Sequence, residues 1–305
     1  MASRSKWQGS RLIGGVALVA LGGCATTRAP EPAAQDDDAI VVAGRPVHTG
    51  TRVVTWMDAG GFNAYRTALL DASGAAASFG ARKTPDGLPI ATGDVEALVG
   101  VVDQIVLHYD GIGNSRECFE HLAERQLSSH FLIDVDGTVY QTLDIQERAY
   151  HATVANNRSI GIEIANIGAF PPEDIAELNR SHRPDIHENH SHAKGSAPLA
   201  EGSEVQVPRP TLSELVQGTV HGIELVQQEF TPAQYDALAK LIAALCETFP
   251  RIARDFPRDG NGDVVMSKLP DDRLAEFRGI LGHFHIQENK VDPGPAFQWE
   301  RILQR

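Results

Sequence analysis

Between residues 101 and 165 the apolar positions fall in short runs separated by turn residues, whereas between 231 and 249 they form one long stripe of helical period. Gln104-Ile105-Val106-Leu107-His108-Tyr109 is a compact apolar run of the kind expected for a central strand, with His108 near its C-terminal end. Past the Gly111-Ile112-Gly113 turn, Ser115 is placed to cap a helix carrying Cys118, Phe119, Leu122 and Leu127 on one face. His130 to Val135 and Thr138 to Thr142, joined by Asp136-Gly137, predict a β-hairpin, because Asp-Gly between two β-rich runs is a strong hairpin signal. Ser159 to Ala165 predicts a further buried strand, with Glu163 as its one acid.

The stripe is Leu238, Leu241, Ile242, Leu245, Cys246 and Phe249. Thr231-Pro232-Ala233-Gln234 precedes it, with a capping Thr, a proline at the first helical position and a Gln at the third. A short helix is expected near Asp271 to Phe277 and a C-terminal one from about Ala296, with a short strand at Val53 to Trp56 and a short helix at Phe62 to Leu70. Residues 72–93, heavy in Gly, Ala and Pro, are expected to be irregular surface covering. Strands and helices interleave, and no internal repeat is present, so the fold class is α/β: a central mixed β-sheet flanked by helices.

Composition narrows the partners. The chain has 305 residues, 42% of them apolar, and a net charge of -13. The first 23 residues hold Arg4, Lys6 and Arg11 and no acid, so the remainder carries 24 basic against 40 acidic residues, or -16. Such a chain is a poor ligand for nucleic acid, whose phosphates it would repel. Cys118 and Cys246 lie on apolar helix faces and are expected to be unpaired.

Residues 1–23 read as an export signal, a basic start followed by a run from Leu12 to Leu21 too short to span a bilayer. The ending Leu21-Gly22-Gly23-Cys24 resembles a bacterial lipobox, which implies lipidation at Cys24 and a membrane anchor. Ala25 after the cysteine implies the outer membrane, facing the periplasm. Residues 24–50 are expected to be a flexible tether. Residues 51–305 form the remaining domain, with an N-terminal extension (51–100) and an insertion (168–228). The insertion holds His182, His187, His190 and His192 and is expected to have little core of its own and to cover or narrow a groove.

The densest chemistry is C-terminal, where Gly282 to Trp299 packs His283, His285, Lys290 and Asp292 ahead of a Pro293-Gly294-Pro295 turn. An ionised Glu163 among isoleucines is costly unless a cation or donor meets it, or unless it faces solvent at a sheet edge. Two neutral imidazoles and a carboxylate would make a zinc site with an open fourth position. No His-Glu-x-x-His spacing is present, and on residue types alone His285 is interchangeable with either imidazole partner.

Five segments in order resemble the zinc-dependent N-acetylmuramoyl-L-alanine amidases, the type-2 amidase family that also contains the peptidoglycan recognition proteins. They are Ile105 to His108, His130 to Ile133 with Asp136-Gly137, Ala149-Tyr150-His151-Ala152, Ser159 to Glu163, and Gly282-His283 through Lys290 to Phe297. The resemblance implies that family's fold, one Zn2+ per chain held by His108, His283 and Asp292, Glu163 as general base and Lys290 as the cation at the oxyanion. It further implies that His151 lines the substrate groove, beside Tyr150 where the family more usually has Trp; His285 is not carried over from the family and is expected to lie behind a ligand or in the groove. The implied reaction is hydrolysis of the amide between N-acetylmuramic acid and L-alanine in peptidoglycan or its muropeptides, by a monomer. The alternative is a non-catalytic peptidoglycan-binding lipoprotein on the same fold.

Overall fold

Six strands form the central sheet: β3 (Val53–Thr55), β5 (Gln104–Tyr109), β6 (Phe131–Ile133), β7 (Val139–Gln141), β9 (Ser159–Ile164) and β13 (Gly279–Gly282), in the order β13-β5-β9-β6-β7-β3. The computed structural model describes residues 37–69, 78–175 and 215–304. Neighbours along β13-β5-β9-β6 are parallel, β6 and β7 are the antiparallel hairpin, and β7 pairs in parallel with β3, so the sheet is mixed as expected.

Strand alternation sorts the residues of β5 and β9 onto two faces. Ile105, Leu107, Ile160, Ile162 and Ile164 enter a large core with Leu238, Leu241, Ile242 and Leu245 of the helix α4 (Pro232–Thr248). Val106 belongs to a separate cluster with Leu281, Leu269 and Ile286, and His108 and Glu163 continue that second face toward the C-terminal ends of the parallel strands. Two covered faces explain why these strands read as apolar runs rather than as alternation.

Helix α4 starts as its sequence indicates. Thr231 accepts from the Gln234 N–H, and the Gln234 side chain returns to the Thr231 N–H, a complete capping box with Pro232 at the first position. The tight turn of the β6–β7 hairpin is held beneath this helix: Gly137 has φ +83°, and a Cβ there would lie 2.7 Å from the Ala233 carbonyl. Helix α3 (Ser115–Glu124) is capped one residue earlier than expected, by Asn114, whose side chain accepts from the Arg116 and Glu117 N–H groups. Cys118 and Cys246 are both free thiols.

Four expectations need correction. Within the stretch 24–50 expected to be a tether, β1 (Ala39–Val42) and β2 (Arg45–His48) form an antiparallel hairpin. Ile40 and Val42 are buried in the main core, and the Ala43 and Gly44 N–H groups bond the Asp144 carboxylate, so the stretch has partners its composition does not reveal. In the supposed irregular stretch 72–93, β4 (Phe79–Ala81) pairs with β8 (Glu147–Ala149), and Arg82 is fully buried. Helix α1 (Ala64–Leu69) lies where a short helix was expected, and helix α2 (Val95–Val101), capped by Asp94, leads into β5.

The third correction concerns 168–228. Strands β10 (Ala169–Phe170), β11 (Val216–Val220) and β12 (Ile223–Gln227) make a three-stranded sheet, and Val220 and Leu225 join the main core. The hairpin is therefore part of the domain; His182, His187, His190 and His192 lie outside the described residues. Fourth, in place of the C-terminal helix expected from about Ala296 there is a short 3-10 turn, Trp299–Leu303, preceded by a stretch in which the Ala296 and Phe297 N–H groups bond the Gln227 side chain and the Gly294 carbonyl. Helix α5 (Asp271–Glu276) is where it was expected. Among the described residues, no helix is long and apolar enough to cross a membrane.

Candidate active site

Three side chains from distant parts of the chain meet at the C-terminal ends of β5 and β13. His108 closes β5, His283 begins the 3-10 turn that follows β13, and Asp292 precedes the Pro293-Gly294-Pro295 turn. Their donor atoms converge: His108 Nδ1 is 2.8 Å and His283 Nδ1 3.0 Å from Asp292 Oδ2, and the two nitrogens are 3.1 Å apart. All three residues are buried. His285, left open on residue types, is not of this set: its Nδ1 accepts the Gly282 N–H and its Nε2 donates to the Val265 carbonyl. Both ring nitrogens thus pin the turn that carries His283, and neither faces a groove.

The donor set fits a zinc ion. Bonds of about 2.0–2.1 Å place tetrahedral ligand atoms roughly 3.3 Å apart, close to the spacing found here. The protonation states fit as well. Burial pushes His108 down to about 4, so it is neutral at neutral pH. Burial raises Asp292, but His283 and His108 outweigh it and hold the carboxyl well below the usual carboxylate range. A neutral imidazole and an ionised carboxylate are the forms a metal takes.

Glu163 lies beside this cluster. It pairs in register with His108 on β5 and Leu132 on β6, and only 7% of it is exposed. Burial, then the charges of Asp292 and Asp110, push its carboxyl well above the usual range, while Lys290 and Arg125 pull it down. The positive charge of half-buried Lys290 likewise disfavours protonation of His108. The Glu163 question is thus settled in favour of a buried acid within the sheet.

The two residues implied to line a groove, His151 and Tyr150, are half-buried and have partners within the protein. His151 comes within 3.0 Å of His108 Nε2 through its Nδ1 and within 3.2 Å of Ser159 Oγ through its Nε2, so both ring nitrogens already have partners in the protein. Tyr150 turns toward the N-terminal extension, its hydroxyl 3.3 Å from the Arg148 guanidinium and against Gly80.

Several supporting residues were not anticipated. Gln227 donates to the Pro293 carbonyl and accepts from the Ala296 N–H, clamping the turn behind Asp292. Gly294, at φ +87°, leaves the space that Gln227 fills. His221, at the tip of the β11–β12 hairpin, donates to the Lys290 carbonyl. Gln287 Oε1 accepts from His283 Nε2 at 2.8 Å. No spacing rule points to Gln227 or His221, because their targets lie about 70 residues away; Gln287 was within reach, lying one helical turn from His283.

The N-acetylmuramoyl-L-alanine amidase pattern matches residues 99–295, a span containing every residue of this cluster and well over half of the chain. The chain belongs to that family. Among curated amidases, it is 24% identical over 186 residues to the 1,6-anhydro-N-acetylmuramyl-L-alanine amidase AmpD of Haemophilus influenzae, a match covering 61% of each chain. This family member therefore spans less than two thirds of that relative's length. Solved amidase-fold structures similar to it include AmiD of E. coli in complex with anhydro-N-acetylmuramic acid-L-Ala-D-gamma-Glu-L-Lys, at TM-score 0.39 and 20% identity over 67% of this chain and 56% of that one. Drosophila peptidoglycan recognition protein SD is similar at TM-score 0.37 and 15% identity over 84% and 95% of the two chains.

Proposed function

We propose that this chain is a zinc amidohydrolase that cleaves the amide between N-acetylmuramic acid and L-alanine in peptidoglycan or its soluble fragments. The observation that carries the proposal is the buried Glu163 carboxylate in register with His108, beside a compact set of metal donors. His108, His283 and Asp292 would hold the zinc, which when bound supplies Lewis acidity that acidifies water and polarises a carbonyl.

The chain's own groups carry the proton and the charge. Glu163 takes a proton from the attacking water, whose oxygen bonds to the lactyl carbonyl carbon. Lys290 faces the negative charge that develops on the carbonyl oxygen, where a preorganised cation stabilises most. Glu163 then passes its proton to the departing amine of L-alanine as the C–N bond breaks. The products are a free lactyl carboxylate and a peptide with a new N-terminus.

Mass spectrometry of products from sacculi and from soluble muropeptides, side by side, tests this reading. The expected result is release of peptides beginning with L-alanine, stopped by a chelator and restored by zinc. Retention of both substrates intact with the zinc-loaded protein would instead favour a peptidoglycan-binding role.

The envelope location is proposed on the sequence alone, from Leu21-Gly22-Gly23-Cys24, which lies outside the described residues. Fatty-acid labelling of the wild-type chain, lost in Cys24→Ala, is the expected outcome; equal labelling of both would remove the anchor. The idea that the segment between β10 and β11 narrows the groove is likewise a proposal. Deletion of residues 177–213 should change the preference between polymer and fragment, and an unchanged preference would contradict it.

A further inference from the structure

Both imidazoles of the cluster face the shared point through Nδ1, so each must find a partner for Nε2. An imidazole that gives its Nδ1 lone pair to a cation carries its proton on Nε2 and donates from there. His108 Nε2 meets His151 Nδ1 at 3.0 Å, and His283 Nε2 meets Gln287 Oε1 at 2.8 Å. We propose that His151 and Gln287 are positioning residues that hold His108 and His283 in the metal-binding tautomer and ring orientation. His151 then acts through His108 instead of touching substrate, in place of the groove role implied by resemblance.

The surroundings support that assignment. With Nδ1 accepting, His151 carries its own proton on Nε2, where Ser159 Oγ lies 3.2 Å away as acceptor. The ring rests on Gly161 of β9: a Cβ there would come within 2.7 Å of it, so β9 supplies the floor on which His151 is seated. Asn156 Oδ1 accepts from the His151 and Ala152 N–H groups at 3.1 and 2.6 Å and fixes the loop that carries the ring.

The two supports are also joined. Thr153, two residues after His151, has φ +46°, a strained conformation for a β-branched residue. Its hydroxyl lies 3.4 Å from the same Gln287 oxygen that accepts from His283. One strained loop therefore carries the partner of His108 and touches the partner of His283, and strain of this kind persists only where its surroundings hold it.

The inference rests on the zinc reading but not on cleavage of any bond. It is tested by the zinc affinity of the full chain, measured by competition with a chromophoric chelator, for wild type, Gln287→Leu, Gln287→Glu and His151→Phe. Loss of such a partner typically weakens metal binding about 10–100-fold, which is expected for Gln287→Leu and His151→Phe. Gln287→Glu keeps an acceptor oxygen and should restore most of the affinity. Gln287 is only half-buried, so its pair of variants carries the test even where His151 cannot be replaced without loss of folding. Wild-type affinity in Gln287→Leu, or equal weakening in the Leu and Glu variants, would overturn the proposal. A wild-type chain that binds zinc yet leaves muropeptides intact contradicts the amidase reading and leaves this one standing; a wild-type chain that takes up no zinc contradicts both.

Discussion

His108 and Glu163 lie opposite one another in the parallel β5–β9 ladder, so an imidazole and a carboxylate leave the sheet side by side on the face away from helix α4. A general base must be ionised to act, and Glu163 is pushed upward by burial, then by Asp292 and Asp110, against the pull of Lys290 and Arg125. In the metal-free chain the carboxyl is therefore held above the ordinary glutamate value of 4.5, and a zinc ion bound beside it would pull it back down, so the test is the direction in which Lys290 moves it. Lys290→Gln removes a positive charge and should move the acid limb of kcat/KM further up, besides lowering kcat. A limb that stays in place or moves down in that variant would show that Lys290 does not face Glu163.

Arg82 is expected to matter for stability although it lies outside the matched span. Fully buried, it donates to the carbonyls of Ile145, Asn157 and Ser159 at 2.8 Å each. Burial lowers its pKa to about 9, which leaves it charged at neutral pH. Arg82→Met strands these acceptors, each at a cost of about 1–3 kcal/mol, so urea unfolding should show a loss of at least about 3 kcal/mol. A loss under about 1 kcal/mol would mean that water replaces the guanidinium.

Acid stability follows from His130. It is buried, its Nδ1 accepts the Gly161 N–H, and its Nε2 is 3.0 Å from the Glu147 carbonyl. Burial, then the charge of Arg82, lowers its pKa to about 3 in the folded chain. Unfolding restores an ordinary imidazole near 6.5, so this contribution is complete above about 6.5 and is lost as pH falls toward about 3. The thermal midpoint should decline across that window, and His130→Gln should flatten the decline. An equally steep decline in the variant would assign it to other groups.

What was legible in the sequence is what neighbours along the chain decide. The capping box at Thr231, the stripe from Leu238 to Leu245 and the Asp136-Gly137 turn act within a few residues, and each appears as its pattern indicates. The cluster was legible only through five motifs in order, since nothing local says that β5 and β13 pair and bring His108 to His283. Arg82 was missed because its surroundings are polar or small and its acceptors, Ser159 among them, come from elsewhere, whereas Ile40-Val41-Val42 is a short β-rich run that the Ala, Pro and Asp around it masked. The Gly294 turn looked rigid by itself, yet Gln227 clamps it from a hairpin that composition had assigned to an insertion.

The most direct measurement is zinc content by elemental analysis, set beside turnover of a defined muramyl peptide, for wild type, His108→Ala and Glu163→Gln. Wild type and Glu163→Gln should each hold one zinc per chain, with turnover in Glu163→Gln lower by at least about a hundredfold, the usual contribution of a general base. His108→Ala should hold no zinc and show no turnover. Full zinc in His108→Ala, or wild-type turnover in Glu163→Gln, would contradict the assignment of this cluster as an amide-hydrolysing zinc centre.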